Sequence, residues 1–162
     1  TRSGDVDPGA LPYIMDKTGL DMQGISDMLN KKSGVVGISG VSSDMREVNA
    51  AAIEGNKRAQ LSNTMYFYRI KKYIGAYAAA MGGVDVIIFA GGVGENQADC
   101  RVRVLEGLEF IGVELDKEVN AKMRGEEAIL STPNSRVKVL LIPTDEELMI
   151  ATDTYEIVKA MK

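Results

Sequence analysis

The sequence has no histidine and no tryptophan, and its 162 residues include one cysteine, Cys100. Without histidine the chain cannot form a Ser-His-Asp triad or a histidine-based zinc site. A single cysteine excludes an internal disulfide framework and fits a reducing compartment. No apolar run is long enough to span a bilayer. These absences exclude histidine-based catalysis and a transmembrane helix within this sequence.

Neither sign of charge dominates the chain. It has 19 basic and 23 acidic residues, a net charge of −4, and 45% hydrophobic residues. Mixed charge argues against a nucleic-acid partner held by bulk electrostatics. The hydrophobic fraction and length suffice for one domain with a core. Because the first residue is Thr1 and the opening is a polar loop, we expect a piece of a longer protein.

The clearest local motif lies in the middle of the chain. Residues 86–90 form a short apolar run, which predicts a strand buried on both faces. Glycines follow at 91, 92 and 94, and the polar segment 97–103 can begin a helix. This layout is typical of a phosphate or nucleotide site, because backbone N–H groups and a helix N-terminus face the anion. The motif alone is equally consistent with a purely structural turn.

A second strand-turn-helix unit occurs near the end of the chain. Residues 137–142 predict a buried strand, and the turn 143–147 contains three carboxylates. Carboxylates at the end of a strand can hold Mg²⁺, and they also favour a helix N-terminus. Strands alternating with helices indicate an α/β domain. In an open α/β sheet, ligands bind beyond the carboxyl ends of strands, so we expect both turns at one edge.

A long amphipathic helix is predicted from Lys57 to about Met81. Its apolar residues recur at three- and four-residue steps, at positions 61, 65, 66, 70, 73, 74, 77 and 81. We expect this stripe to pack in the core, with contact to another subunit as the alternative. The less regular segment 35–44 predicts a brief extended piece followed by a loop.

Two further polar clusters are candidates for ligand binding. Arg2 lies in a glycine-containing loop, where a guanidinium can contact phosphate or carboxylate, although a solvated terminus is the simpler interpretation. The segment 42–46 combines hydroxyls, Asp44 and Arg46. It predicts a helix cap, and the same groups would suit a ribose or a phosphate.

Four motifs together resemble the C-terminal half of acetate kinase in order and spacing: residues 1–8, 40–47, 89–96 and 142–147. Residues 68–77 also look like that family, so the resemblance covers essentially the whole chain. It implies an α/β fold of the actin/Hsp70/sugar-kinase (ribonuclease-H-like) type, with a central mixed sheet flanked by helices. Residues 1–162 would then be a single C-terminal nucleotide-binding domain of a longer two-domain kinase.

The resemblance also implies roles for individual residues. Arg2 would be catalytic and would stabilise the phosphoryl group during transfer, and Glu146 would be tied to Mg²⁺. The remaining matches concern the nucleotide. Those expected to line the adenosine pocket are Asp44, Met45 and Arg46, and those expected beneath the nucleotide are Gly92, Val93, Gly94, Glu95 and Asn96.

The function that follows from the resemblance is reversible phosphoryl transfer between ATP and acetate, giving acetyl phosphate and ADP. We expect a cytoplasmic homodimer formed through this domain. Propionate kinase, a non-catalytic nucleotide-binding module and, more remotely, a dinucleotide oxidoreductase are the alternatives. The family's N-terminal domain, with its phosphate-binding loop, catalytic aspartate and acetate pocket, is absent from these residues. We therefore expect the isolated chain to be inactive and to bind ADP or ATP weakly.

Overall fold

The computed structural model describes residues 1–161 of the chain. In chain order its elements are α1 (Ala10–Thr18), α2 (Met22–Lys31), α3 (Gly34–Ser39), α4 (Met45–Ile53), α5 (Lys57–Met81), β1 (Val86–Phe89), α6 (Gly91–Asn96), α7 (Ala98–Leu105), a 3-10 turn (Glu109–Ile111), α8 (Lys117–Lys122), β2 (Ala128–Ile129), β3 (Lys138–Leu141) and α9 (Glu146–Ala160). The sequence predicted the last helix to run to Lys162, which lies outside the described residues. Within residues 1–161, no helix combines the length and the apolar character needed to cross a membrane.

The chain forms two compact units, Thr1–Lys72 and Tyr73–Lys162. Helices α1 to α4 belong to the first unit, the sheet and α6 to α9 belong to the second, and the continuous helix α5 contributes to both. The assignment of the whole chain to one C-terminal domain of a longer kinase stays a prediction.

Helix ends in the first unit follow the local sequence. Asp21 accepts a hydrogen bond from the Gly24 amide at 2.8 Å and so caps α2. Helices α1 and α3 end at Gly19 and Gly40, whose positive φ angles are typical of glycine at this position. Asp44 caps α4, as predicted.

The segment predicted as extended is largely helical, and that prediction was wrong. Residues Gly34–Ser39 form α3, although valines favour strands. The Arg58 guanidinium donates to the carbonyl oxygens of Ile38 at 2.8 Å and Gly37 at 2.9 Å, at the C-terminal end of this helix. Carbonyls in the last turn of a helix have no partner within it, so a side chain 20 and 21 residues away satisfies these two. Such long-range capping is invisible to local periodicity.

The second unit is built on a mixed three-stranded sheet of order β1-β3-β2. Strands β1 and β3 are parallel, with Phe89 opposite Leu141, and β2 runs antiparallel to β3. One face of the sheet contributes Ile87, Phe89, Val139 and Leu141 to the core. This arrangement confirms the predicted α/β class with a central mixed sheet flanked by helices.

The prediction that β1 is buried on both faces was wrong. Its side chains alternate between exposed and buried, with Val86 and Ile88 exposed. Ile88, Leu140 and Ile129 lie in register on the same side of the sheet, and Ile129 is exposed too. The apolar side chains of β1 therefore lie on both faces of the sheet. The described residues of this unit cover only one of these faces.

The predicted core stripe of α5 is also only partly correct. Tyr66, Ile70 and Ile74 are half-buried, whereas the other predicted positions are exposed: Leu61, Met65, Tyr73, Tyr77 and Met81. Small and polar side chains occupy much of the buried face instead. One of them, Asn63, donates a hydrogen bond of 2.7 Å to Asn49. Polar side chains such as Ser62 and Asn63 therefore occupy buried positions of α5 that a pattern of hydrophobic residues does not predict.

Candidate functional site

Two turns meet at one edge of the sheet in the second unit. Strands β1 and β3 are parallel neighbours, so their carboxyl ends are adjacent, and the Ile142 amide donates to the Phe89 carbonyl at 3.0 Å. The glycine segment follows β1 and the acidic turn follows β3. The expectation that both turns share an edge is confirmed.

The carboxylate of Glu95 joins the two turns. Its Oε1 atom accepts hydrogen bonds from the Gly91 amide at 2.7 Å, the Thr144 amide at 2.9 Å and the Thr144 hydroxyl at 3.1 Å. We call this contact of Glu95 with Gly91 and Thr144 the Glu95 brace. The Thr144 amide is the main cause that lowers the pKa of Glu95 below its ordinary value. The brace is therefore made by an ionised side chain at neutral pH.

The glycine segment is a short helix, α6, rather than an open loop. Gly91 has a φ of +69°, which L side chains rarely adopt, and so needs glycine. Gly92 needs no glycine for packing, since a Cβ there would meet no described atom within 4 Å. Asn96 donates to the Gly92 carbonyl at 3.0 Å and accepts from Arg124 at 3.3 Å. A hydrogen bond between two of its own residues therefore stabilises this segment, and no described residue fills the space beside the Gly92 backbone.

The acidic turn offers few ligands for a metal. Glu146 is exposed at the first position of α9, and Asp145 accepts a hydrogen bond from the Leu148 amide at 3.0 Å. Within residues 1–161, no group of three or more acidic or cysteine side chains could hold a metal ion. Mg²⁺ is usually bound by one or two carboxylates together with substrate phosphates and water. Glu146 fits that mode, in which most of the ligands come from the nucleotide and solvent.

Arg2 lies in the first unit, and its loop is held by the backbone of the neighbouring helices. The Ser3 amide donates to the Leu29 carbonyl at 2.8 Å, and the Ser33 amide donates to the Thr1 carbonyl at 3.0 Å. The guanidinium of Arg2 donates to Asn30 at 3.0 Å and lines a cavity of about 460 Å³ in this unit. The convergence of Arg2 on the sheet edge stays a prediction.

The segment 44–46 also belongs to the first unit. Asp44 accepts from the Arg46 amide at 2.8 Å and forms an ion pair with the Arg46 guanidinium at 2.6 Å. The Arg46 side chain first, and then its amide, lower the pKa of Asp44 to about 2. Met45 is buried. The roles of these residues toward adenosine stay predictions.

Sequence reasoning missed Arg101, whose side chain is completely buried. Helix α7 places Arg101 on the same face as Val104 and Leu105, which are also buried. Leu108 continues that helical spacing and is buried as well. An arginine in step with the apolar positions of an amphipathic helix was the signal available in the sequence.

A glycine segment and an acidic turn at the carboxyl edge of neighbouring parallel strands define an α/β domain of the class that binds ligands at this edge of its sheet. The sequence model that describes the acetokinase family matches residues 1–152 of this chain. Acetate kinase of Bacteroides thetaiotaomicron is 67% identical over 159 residues, which are 98% of this chain and 40% of that protein. The chain belongs to the acetokinase family.

Solved structures agree with this assignment. The crystal structure of Porphyromonas gingivalis acetate kinase matches with a TM-score of 0.90 at 59% identity, covering 98% of this chain and 40% of that one. A propionate kinase from Francisella tularensis matches with a TM-score of 0.83 at 37% identity, covering 93% of this chain and 38% of that one. The chain thus spans about 40% of the length of the relatives it matches.

Proposed function

We propose that this chain supplies the C-terminal, nucleotide-binding part of a kinase that moves a phosphoryl group between ATP and acetate. A carboxylate oxygen of acetate attacks the γ-phosphorus of ATP, the bond to the β–γ bridging oxygen breaks, and acetyl phosphate and ADP result. The observation that carries the proposal is the Glu95 brace, which holds the glycine segment and the acidic turn together in a member of the acetokinase family.

The candidate site residues would have different roles in this reaction, according to their chemistry. The open backbone at Gly92 would let the nucleotide approach the Gly92–Asn96 segment closely. Glu146 would hold Mg²⁺, which offsets phosphate charge when it is bound. Arg2 would stabilise the charge on the phosphoryl group in flight, because phosphoryl transfer depends on positioning and charge stabilisation. The adenosine would contact the segment 44–46.

We favour acetate over propionate as the substrate because the relatives that are 67% identical are acetate kinases, whereas the propionate kinase is 37% identical. The choice between these short acids belongs to the part of the protein that this chain does not span. We also propose that the whole kinase acts in the cytoplasm.

A chimaera tests the proposal in a complete enzyme. In it, this chain replaces the matching segment of the Bacteroides thetaiotaomicron acetate kinase, with which it is 67% identical. We expect Arg2→Ala to lower kcat by at least about 100-fold while the Kd for ADP changes by less than about threefold. If the chain were a non-catalytic nucleotide-binding module, the chimaera and its Arg2→Ala variant would both form acetyl phosphate only at the background rate.

We further propose that the kinase is a homodimer formed through this domain. Support comes from the exposed apolar side chains of α5, among them Leu61, Met65 and Tyr77. Sedimentation equilibrium of the chimaera should give twice the protomer mass. A protomer mass across micromolar concentrations would contradict the dimer.

A further inference from the structure

The guanidinium of Arg101 lies directly beneath the glycine segment, and all of its nitrogen atoms donate hydrogen bonds. Nη1 donates to the carbonyl oxygens of Gly94 at 2.7 Å and Glu95 at 3.1 Å. Nη2 donates to the carbonyl oxygens of Asn120 at 3.0 Å and Met123 at 2.7 Å. Nε donates to Oδ1 of Asn120 at 2.6 Å. The side chain therefore connects the last turn of α6 with the C-terminal end of α8.

Arg101 has no acidic partner in the part of the chain that the structure describes. Within residues 1–161 no carboxylate forms an ion pair with it, and burial lowers the pKa of its guanidinium. A buried cation without a counter-ion is costly, and an apolar side chain of similar size would often serve stability as well or better. Packing alone therefore does not account for an arginine at this position.

The arrangement of the acceptors accounts for it. Carbonyl groups in the last turn of a helix lack partners within that helix, and both α6 and α8 end here. A guanidinium is a rigid planar fork with five N–H donors, so it can satisfy carbonyls of two helices at once and fix their separation. A lysine ammonium carries the same charge but cannot span both sets of carbonyls.

We propose that Arg101 is a positioning residue that fixes the Gly92–Asn96 segment against α8 and so sets the place of its backbone beneath the nucleotide. This inference rests on the proposed function, because it assigns the segment to nucleotide binding. Arg101 is completely buried and reaches the nucleotide only through the carbonyls of Gly94 and Glu95.

Arg101→Lys in the chimaera tests this role, because the substitution keeps the charge and removes the fork. Arg103→Lys is the matched control: Arg103 lies on the same helix, is half-exposed and pairs with Asp99 at 2.8 Å. We expect Arg101→Lys to raise the KM for ATP by about tenfold or more, the effect of losing charged hydrogen bonds. The KM for acetate and both KM values of Arg103→Lys should stay within about twofold.

Hydrogen exchange on the 162-residue chain gives a second readout that does not need activity. In Arg101→Lys the amides of Gly92–Asn96 should exchange at least about tenfold faster, while those of Lys138–Leu141 stay unchanged. If Arg101→Lys does not fold, Asn120→Ala removes the acceptor of Nε, together with the Asn120 hydrogen bond to the Ala98 carbonyl, and leaves the two carbonyl contacts of Arg101 to the segment. It should accelerate the same amides by a smaller factor.

A folded Arg101→Lys variant with an unchanged KM for ATP would overturn the inference, whatever its exchange rates. Slower or equal exchange in the Gly92–Asn96 segment would overturn it as well. If the unmodified chimaera binds no nucleotide, the proposed function fails instead. The exchange experiment would then still decide whether Arg101 fixes the segment.

Discussion

At the residue scale, the carboxylate of Glu95 joins two segments that are 49 positions apart in the sequence. One oxygen atom accepts three hydrogen bonds, two of them from Thr144. The resemblance to acetate kinase implied that Glu95 lies beneath the nucleotide. In the structure Glu95 forms hydrogen bonds within the protein, and these favour its ionised form; its role toward the nucleotide stays a prediction.

The pH dependence of the Glu95 brace follows from its lowered pKa. Its contribution to stability is fully present above the ordinary pKa of 4.5 and is lost as the pH falls through the lower pKa of the folded state. We expect Glu95→Gln to be less stable than the unmodified chain at neutral pH, with the difference shrinking in acid. Urea unfolding at several pH values measures this, and a difference that grows in acid would contradict it.

Cys100 should be unreactive in the folded chain. It is buried, and burial raises the pKa of its thiol to about 11, so the thiolate that reacts with disulfide reagents is scarce at neutral pH. Labelling with a chromogenic disulfide should be slow in buffer and fast in denaturant. Equal rates in the two conditions would show that Cys100 is accessible in the native state.

At the element scale, caps and turns were predictable, whereas packing faces were not. Asp44 caps α4 within the segment 42–46, where the sequence predicted a helix cap, because capping depends on neighbouring residues. Helix α3 was missed since Arg58, far away in sequence, completes its end. The exposed apolar side chains of β1 and α5 were predicted to be buried. Apolar composition alone does not specify which face of an element packs against the rest of the protein.

The buried face of α5 can be tested with two neighbouring aromatic residues. Phe67 is 4% exposed and Tyr68 is 62% exposed. Phe67→Ala should lower the free energy of unfolding by about 3–5 kcal/mol, the usual cost of emptying a core position. Tyr68→Ala should change it by less than about 0.5 kcal/mol. Urea denaturation gives both values, and similar losses would contradict the assignment of faces.

The junction between the Arg2 loop and α3 depends on a glycine. Gly34 has a φ of +61°, and a Cβ there would clash with the Arg2 carbonyl oxygen. Gly19 has a similar φ of +69° and no described atom within 4 Å of a built Cβ, so it is a matched control. Gly19→Ala should cost about 1–3 kcal/mol from backbone strain alone.

Gly34→Ala should cost more than Gly19→Ala, because it adds the clash with Arg2 to the same strain. The difference in thermal stability between the two variants measures the contact. Equal melting temperatures would show that the Arg2 loop is not held against α3 as the structure describes.

At the scale of the whole molecule, the chain spans about 40% of the length of its relatives. The resemblance at four motifs identified the family correctly, while the roles of individual residues stay predictions. The second unit brings the glycine segment and the acidic turn to one edge through the Glu95 brace. The residues that would bind acetate are expected outside this chain.

The isolated chain should therefore bind nucleotide without turning it over. Calorimetric titration with ADP and Mg²⁺ should give a Kd weaker than that of the chimaera, because part of the nucleotide site is missing. No heat of binding at millimolar ADP would count against a preformed half-site.

Acetyl phosphate formation by the chimaera tests the central claim most directly. With ATP, Mg²⁺ and acetate, we predict turnover that depends on all three, and no turnover by the isolated chain under the same conditions. Circular dichroism and a single cooperative unfolding transition would establish that the chimaera is folded. A folded chimaera that forms no acetyl phosphate, while the parent Bacteroides thetaiotaomicron enzyme does, would contradict the claim.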